Sequence, residues 1–230
     1  MSIYTIGDLH LSLGVEKPMD VFGGRWQNYM DKLREGLSVL TQDDMLVLCG
    51  DTSWGMTLRQ ALPDFQFLSS LPCRKLLVKG NHDYWWETAK KITAFWQSND
   101  CRRLALLHNN AHFYDGIALC GTRGWFCQED RDAHSEKIFK RELQRLEFSL
   151  RQAAENGAEE IYCFLHYPPI HAGQQCREIL EILHRYPVTR CYYGHLHGQA
   201  GAQADEGRRN GIEYRLVSSD HLHFRPLRIG

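Results

Sequence analysis

Apolar residues fall along this chain in short runs that alternate with helix-period segments, the pattern of an α/β protein. Ile3 to Ile6 reads as a first strand. Helical spacing follows from about Trp26 to Leu40, with Trp26, Met30, Leu33, Leu37 and Leu40 on one face. Met45 to Cys49 and Lys75 to Val78 read as buried strands, separated by a helical stretch from Leu58 to Leu71 with Pro63 near its start. Trp85 to Trp96 reads as helix. Three short strand-like runs come next, Leu104 to Leu107, Ala111 to Tyr114 and Ile117 to Cys120, and Asp115-Gly116 marks a hairpin between the last two. A long charged helix is predicted from about Ala133 to Asn156, stopped by Gly157. Ile161 to Leu165 and Thr189 to Tyr193 are strands around a helix at Ile179 to Arg185. The tail, about Gly198 to Pro226, reads as Gly-punctuated hairpins including Ile212 to Ser218, with His221 and His223 alternating in a strand.

No internal repeat, low-complexity tract or Pro/Ser-rich linker interrupts this order, so residues 1–230 are expected to form a single domain. A β-α-β first half with antiparallel strands later predicts a mixed sheet, or two packed sheets with helices outside. At 43% hydrophobic and 24% charged, the 230 residues can bury a full core. Lys plus Arg is 27 and Asp plus Glu is 28, so no bulk field draws the chain to long nucleic acid or anionic lipid, although a local basic groove stays open. The longest apolar runs, such as Met45 to Cys49, are far short of the roughly 20 residues of a membrane span. The start, Met1-Ser2-Ile3-Tyr4, lacks the basic and apolar regions of a signal peptide, and a cytoplasmic protein is expected. Cys49, Cys73, Cys101, Cys120, Cys127, Cys163, Cys176 and Cys191 are scattered with no C-x-x-C pair. They read as reduced core thiols.

The chemistry sits at strand ends. Five apolar strands run into short polar knots: Ile6-Gly7-Asp8-Leu9-His10, Leu48-Cys49-Gly50-Asp51, Val78-Lys79-Gly80-Asn81-His82-Asp83, Phe164-Leu165-His166 and Tyr193-Gly194-His195-Leu196-His197. That edge is where open α/β sheets bind ligands. The i, i+2 spacing of Asp8 with His10, and of His195 with His197, predicts an extended backbone that aims both side chains the same way. Leaving His82 aside, the pool is two Asp, one Asn and four His, an oxygen-plus-imidazole set without thiolate. It suits Mn, Fe, Zn or Ni better than a structural zinc cage. Seven ligands exceed the needs of one ion and suit two, about 3.5–4 Å apart, sharing a carboxylate.

As an ordered set these blocks resemble the calcineurin-like metallophosphoesterase superfamily, whose pattern runs Asp-x-His, Gly-Asp, Gly-Asn-His-Asp/Glu, a lone His and Gly-His-x-His. All five are present between Asp8 and His197. The resemblance implies an α/β four-layer αββα sandwich of two mixed β-sheets flanked by helices, with a dimetal site at one edge. It implies one metal on Asp8, His10 and His197, a second on Asn81, His166 and His195, and Asp51 bridging both. It implies His82 as a non-ligand catalytic histidine and a metal-bridging hydroxide as nucleophile. Phosphoprotein phosphatases of the superfamily extend the second block to Gly-Asp-x-x-Asp-Arg. Here Trp54 replaces the Asp that orients the catalytic His, and Gly55 replaces a phosphate-binding Arg. Asp83 or a backbone carbonyl is the expected substitute for orienting His82.

Arg123 and Trp54 are candidate substrate contacts, and Trp125 a candidate stacking surface; a capped strand end with a surface Arg and a packed Trp is the alternative for the Gly121–Trp125 segment. Tyr84-Trp85-Trp86 reads equally as pocket wall or core. The expected function is dimetal phosphoester hydrolysis of a small-molecule or nucleotide substrate, as a diesterase or monoesterase. A non-catalytic scaffold with the same fold and a short-oligonucleotide nuclease are the competing readings. Oligomeric state is not legible.

Overall fold

A computed structural model describes residues 2–126 and 132–230; Cys127, expected as a core thiol, lies outside them. The chain runs through β1 (Ile3–Ile6), α1 (Tyr29–Leu37), β2 (Met45–Leu48), α2 (Leu62–Ser70), β3 (Arg74–Leu77), α3 (Ala89–Ser98), β4 (Leu104–Leu106), β5 (Ala111–Tyr114) and β6 (Ile117–Thr122). It continues through α4 (Ala133–Glu155), β7 (Ile161–Leu165), β8 (Ile170–His171), β9 (Gln174–Gln175), α5 (Arg177–His184), β10 (Val188–Tyr193), α6 (Gly198–Ala202), β11 (Gly207–Arg209), β12 (Ile212–Leu216) and β13 (Leu227–Arg228). One sheet has the order β13-β1-β2-β3-β4 and the other β11-β12-β10-β7-β6-β5. Both are mixed: β1 to β4 run parallel with β13 antiparallel at the edge, and β6, β7, β10 and β12 run parallel between antiparallel β5 and β11.

Side-chain alternation builds the layers. On β2 and the residue after it, Met45, Val47 and Cys49 face the second sheet, where they meet Tyr162, Phe164 and Tyr192. Leu46 and Leu48 point the other way, toward Leu33 and Leu37 of α1 and Phe65 and Leu68 of α2. A third cluster joins Phe139, Leu146 and Leu150 of α4 and Ile179 and Leu183 of α5 to the outer face of β7 and β10. Three apolar cores between four layers make the expected αββα sandwich. No described helix is long and apolar enough to cross a membrane.

Several boundaries move for local reasons. The first helix starts at Tyr29 rather than Trp26, because Gly23, Gly24 and Asn28 have positive φ and leave Trp26 in a 3-10 turn. Pro63 sits in the first turn of α2, so Leu58 to Ala61 stay outside the helix. α3 begins after Thr88, whose hydroxyl accepts the Lys91 N–H at 3.4 Å. Trp85 is instead a core residue whose ring packs on Phe65. The tail holds one hairpin, turned at Asn210-Gly211 with both φ positive, and the short helix α6 in place of a second. His221 and His223 lie in a turn, not a strand. The described cysteines are buried thiols outside any disulfide, and burial pushes the Cys120 thiol up to about 12.

Candidate metal centre

The parallel strands of both sheets end at one edge, and the polar knots meet there. Asp8 and His10 follow β1, Asp51 follows β2 and Asn81 follows β3. His166 follows β7, and His195 and His197 follow β10. The sheets are stitched at this edge: Gly7 N–H donates to Val217 O at 2.6 Å, and Ser219 N–H and Oγ–H both donate to Gly7 O. The backbone is not extended as the i, i+2 spacing suggested. Asp8, His10, Asp51 and His195 all have φ between +47° and +73°. Leu9 and Leu196 still turn into the cores while their neighbours turn to the site. Holding non-glycine residues in the left-handed region costs of order 1–3 kcal/mol each, and such residues cluster at functional sites.

Two sites depend on a missing Cβ. A Cβ on Gly80 would lie 2.0 Å from Asp51 Oδ1, and one on Gly194 would lie 2.4 Å from Asp8 Oδ2. Gly80 lets the carboxylate that follows the neighbouring strand β2 approach the backbone closely, and Gly194 does the same for the carboxylate that follows β1 of the other sheet.

Two groups of potential metal donors result, Asp8 with His10 and His197, and Asp8 with Asp51 and His166. His10 Nε2 and His197 Nε2 face each other at 3.4 Å. Asp51 Oδ2 lies 3.9 Å from His10 Nε2 and 3.6 Å from His166 Nε2, between the groups. Asn81 Oδ1 is 2.6 Å from His166 Nε2. The His195 ring packs edge-on to His166 at 5.1 Å, and its backbone N–H donates to both Asp8 oxygens at 3.1 and 3.0 Å. All seven residues singled out in the sequence therefore converge.

The supporting bonds fix which ring nitrogens face inward. His166 Nδ1–H donates to Cys49 O at 3.0 Å, turning Nε2 to the centre. His197 Nδ1 bonds Asp220 Oδ1 at 2.8 Å, and Asp220 Oδ2 accepts the Gly198 N–H at 3.0 Å. Asp220 was missed in the sequence; its only signal is its place just after the β12 strand.

Burial would lift the Asp8 carboxyl, yet the hydrogen bond and charge of His197, with His166 and His10 beside it, hold it well below the usual range. Burial and then the Asp8 charge push Asp51 up to about 8. Burial lowers His10 to about 3 and His195 to about 4. Burial opposes charge on His197 too, but its bonds to Asp220 and Asp8 raise it to about 10. The protein alone thus holds two crowded carboxylates, one of them driven toward protonation, among imidazole nitrogens that face inward. Divalent cations satisfy that arrangement: they remove the repulsion between Asp8 and Asp51 and bind those nitrogens. The donor set fits them.

His82 lines a cavity of about 840 Å³ that opens on Asp51, His195 and His197. Its backbone N–H donates to Asp51 Oδ1 at 2.7 Å. Its Nδ1 is buried without a partner, so neither Asp83 nor a carbonyl orients the ring through that atom, contrary to expectation. Asp83 is fully engaged elsewhere. Its Oδ1 accepts from Thr52 N, Ser53 N and Trp85 Nε1, and its Oδ2 from Gly80 N at 2.8 Å. It ties the second and third blocks together rather than facing the cavity. The His82 ring is set by packing instead: Trp54 lies 4.6 Å from it and also stacks on His10 at 4.9 Å, 23° from parallel. Trp54 lines the cavity. Arg123 does not; its guanidinium sits over Trp125 at 5.0 Å and 3.5 Å from Glu142 Oε1. Of the aromatic triplet, Trp85 is core, Tyr84 is exposed beside His82 at 6.1 Å, and Trp86 packs on His108.

A family model described as calcineurin-like phosphoesterase matches residues 1–199. No curated protein matches the chain. Among solved structures, TT1561 of Thermus thermophilus is similar at 12% identity and a TM-score of 0.57, covering 99% of this chain and 97% of that one. A further crystal structure matches at 11% identity and the same TM-score over 93% of this chain and 88% of that one. AQ665 from Aquifex aeolicus, a protein of unknown function, matches at 15% identity and a TM-score of 0.47 over 99% and 95%. At these identities the likeness is one of fold.

Proposed function

The chain belongs to the calcineurin-like phosphoesterase family, and from that premise we propose that it hydrolyses a phosphoester bond of a small-molecule or nucleotide substrate with two divalent metal ions. The observation that carries the reading is the presence of two adjoining donor groups, with Asp51 Oδ2 3.9 Å from His10 Nε2 of one and 3.6 Å from His166 Nε2 of the other. In this reading Asp8, His10 and His197 hold one ion, Asn81, His166 and His195 hold the other, and Asp51 contributes to both. When bound, such ions lower the pKa of a water and draw charge from the phosphate oxygens. The donor set accepts Mn, Fe, Zn or Ni.

The chain's own residues then have separate tasks. Cys49 O and Asp220 orient His166 and His197. His82, whose ring lines the cavity, donates an N–H to the leaving oxygen or to charge developing on the phosphate. Trp54 holds His82 and His10 in place by packing. Asp83 anchors the loop that carries His82. The cavity beside the centre is walled by Met19, Phe22, Trp26 and Trp54, with Arg25 its one permanent cation among the described lining residues. That wall favours a small substrate with an apolar or aromatic portion over a phosphoprotein. Donors from both sheets are needed for either ion, which supports taking residues 1–230 as one catalytic domain. The buried thiols, none of them in a disulfide among the described residues, support a cytoplasmic setting.

The test is a paired rate assay on metal-free protein reconstituted with Mn²⁺, using p-nitrophenyl phosphate and bis-p-nitrophenyl phosphate with chelator controls. Chelator-sensitive hydrolysis of either is expected, and their ratio separates monoesterase from diesterase. Absence of hydrolysis with two metals bound would overturn the reading.

A further inference from the structure

A second cavity, of about 490 Å³, opens between the start of α3 and α4, and none of the seven candidate metal ligands lines it. Its described walls carry Lys79, Arg123, Arg141 and Arg145, with His108 among them. Two carboxylates accompany these cations, and neither is free. Glu87 is paired with Lys91 Nζ at 2.9 Å. Glu142 is buried, accepts the Thr122 hydroxyl at 2.7 Å and Arg145 Nη1 at 2.5 Å, and has Arg123 Nη2 at 3.5 Å. One carboxylate thus anchors two guanidinium groups and leaves the set strongly positive.

The donors are also incompletely used. Arg123 Nε and His108 Nδ1 are buried with no hydrogen-bond partner. Lys79 and Arg141 make no hydrogen bond or ion pair with any described residue. A buried donor without a partner costs about 1–3 kcal/mol, and crowded like charges add to that cost. Burial, and then the nearby Arg145 charge, lower His108 to about 4, as a positive surrounding requires. An arrangement this costly needs a compensating anion. Planar guanidinium forks beside an ammonium match a tetrahedral oxyanion.

We infer that this cavity is a second phosphate-binding site, taking a phosphoryl group held between Arg123, Arg141, Arg145 and Lys79, apart from the metal centre. Lys79 directly precedes Gly80-Asn81-His82, so an occupant would touch the loop that carries a candidate metal ligand and the candidate catalytic histidine. The phosphoryl group comes either from a second phosphate on the substrate or from a free phosphate ion.

The probe is inorganic sulfate, a tetrahedral dianion and a weak metal ligand, titrated calorimetrically into metal-loaded protein. Wild type should bind it, and Lys79→Met with Arg141→Gln should weaken that binding at least tenfold. Both positions leave the Glu142 cluster intact. Unchanged melting temperature and metal content of the double variant separate loss of the site from loss of the fold. Equal affinity in wild type and variant, or no binding by wild type, would overturn the site whether or not the protein hydrolyses phosphoesters. Two further arms identify the source. A KM advantage for a bisphosphorylated over a monophosphorylated aryl substrate, lost in the variant, supports a substrate phosphate. A sulfate effect on turnover of the monophosphorylated substrate, also lost in the variant, supports a free ion.

Discussion

The Asp220 carboxylate lies 2.8 Å from His197 Nδ1, and this contact sets which nitrogen of His197 faces the centre. The same carboxylate accepts the Gly198 N–H, so it also fixes the start of the segment after His197. Outer partners of this kind tune ligand basicity and orientation. Asp220→Ala should weaken Mn²⁺ binding about 10–100-fold, read by metal titration of the chelated protein. An unchanged affinity would remove Asp220 from the site.

Asp51 and His82 should separate cleanly. Asp51→Asn is expected to abolish hydrolysis and to lower metal content at both positions, since Asp51 Oδ2 sits between His10 and His166. His82→Ala should cut turnover by about 10²–10⁴-fold while leaving close to two metals per chain. Metal analysis alongside kcat decides this: loss of metal from the His82 variant would make it a ligand.

Gly80→Ala tests the close approach of backbone and carboxylate. The added Cβ would meet Asp51 Oδ1 at 2.0 Å, and no rotamer of alanine avoids it. Overpacking of this kind costs about 1–3 kcal/mol. A lower melting temperature and reduced metal content are expected together. A variant that melts and loads like wild type would show that the loop shifts freely.

Asp64 gives a pH signature away from the candidate metal ligands. Burial pushes its carboxyl up to about 6, against a reference of 3.8, although the Ser53 hydroxyl and the Leu13 N–H both bond it. A carboxyl with a raised folded pKa favours the fold when protonated. Its contribution is complete below about pH 4 and is lost as pH rises through about 6. Relative to Asp64→Asn, wild type should therefore lose about 1–3 kcal/mol across that window. Urea unfolding of both proteins without metal at pH 4, 5, 6 and 7 measures it; parallel curves would refute the raised value.

The strand ends were legible because each carries an apolar run followed by a glycine or a polar residue. Five of the seven expected donors, Asp8, His10, Asp51, His166 and His197, fall in the two donor groups, and Asn81 and His195 lie against His166. The backbone carrying them was not legible: Asp8 and His10 occupy left-handed conformations, with their N–H groups bonded to Gly50 O and Asp51 O on the loop after β2. Asp220 escaped notice because Ser218-Ser219-Asp220 looks like any polar turn after a strand. Asp83 departs from its expected role of orienting His82 for a related reason. A charged residue beside a catalytic block looks functional in sequence, yet Asp83 is consumed by four N–H donors, while Arg123, at another strand end, lines the second cavity and not the one at the candidate metal centre. The late start of α3 follows from Thr88, a cap whose effect the apolar spacing of Trp85 to Trp96 concealed.

The two sheets are stitched where Gly7 meets Val217 and Ser219. Asp8, His10, Asp51 and Asn81 lie on the early side of that seam, and His166, His195, His197 and Asp220 on the late side. During synthesis the first four emerge long before the rest, and neither donor group is complete until the second sheet has formed. A nascent chain therefore carries no finished metal trap. On the proposed reading, metal capture would report successful closure, and a bound ion would act as a rivet across the seam, making late unfolding of either sheet harder for as long as it stays.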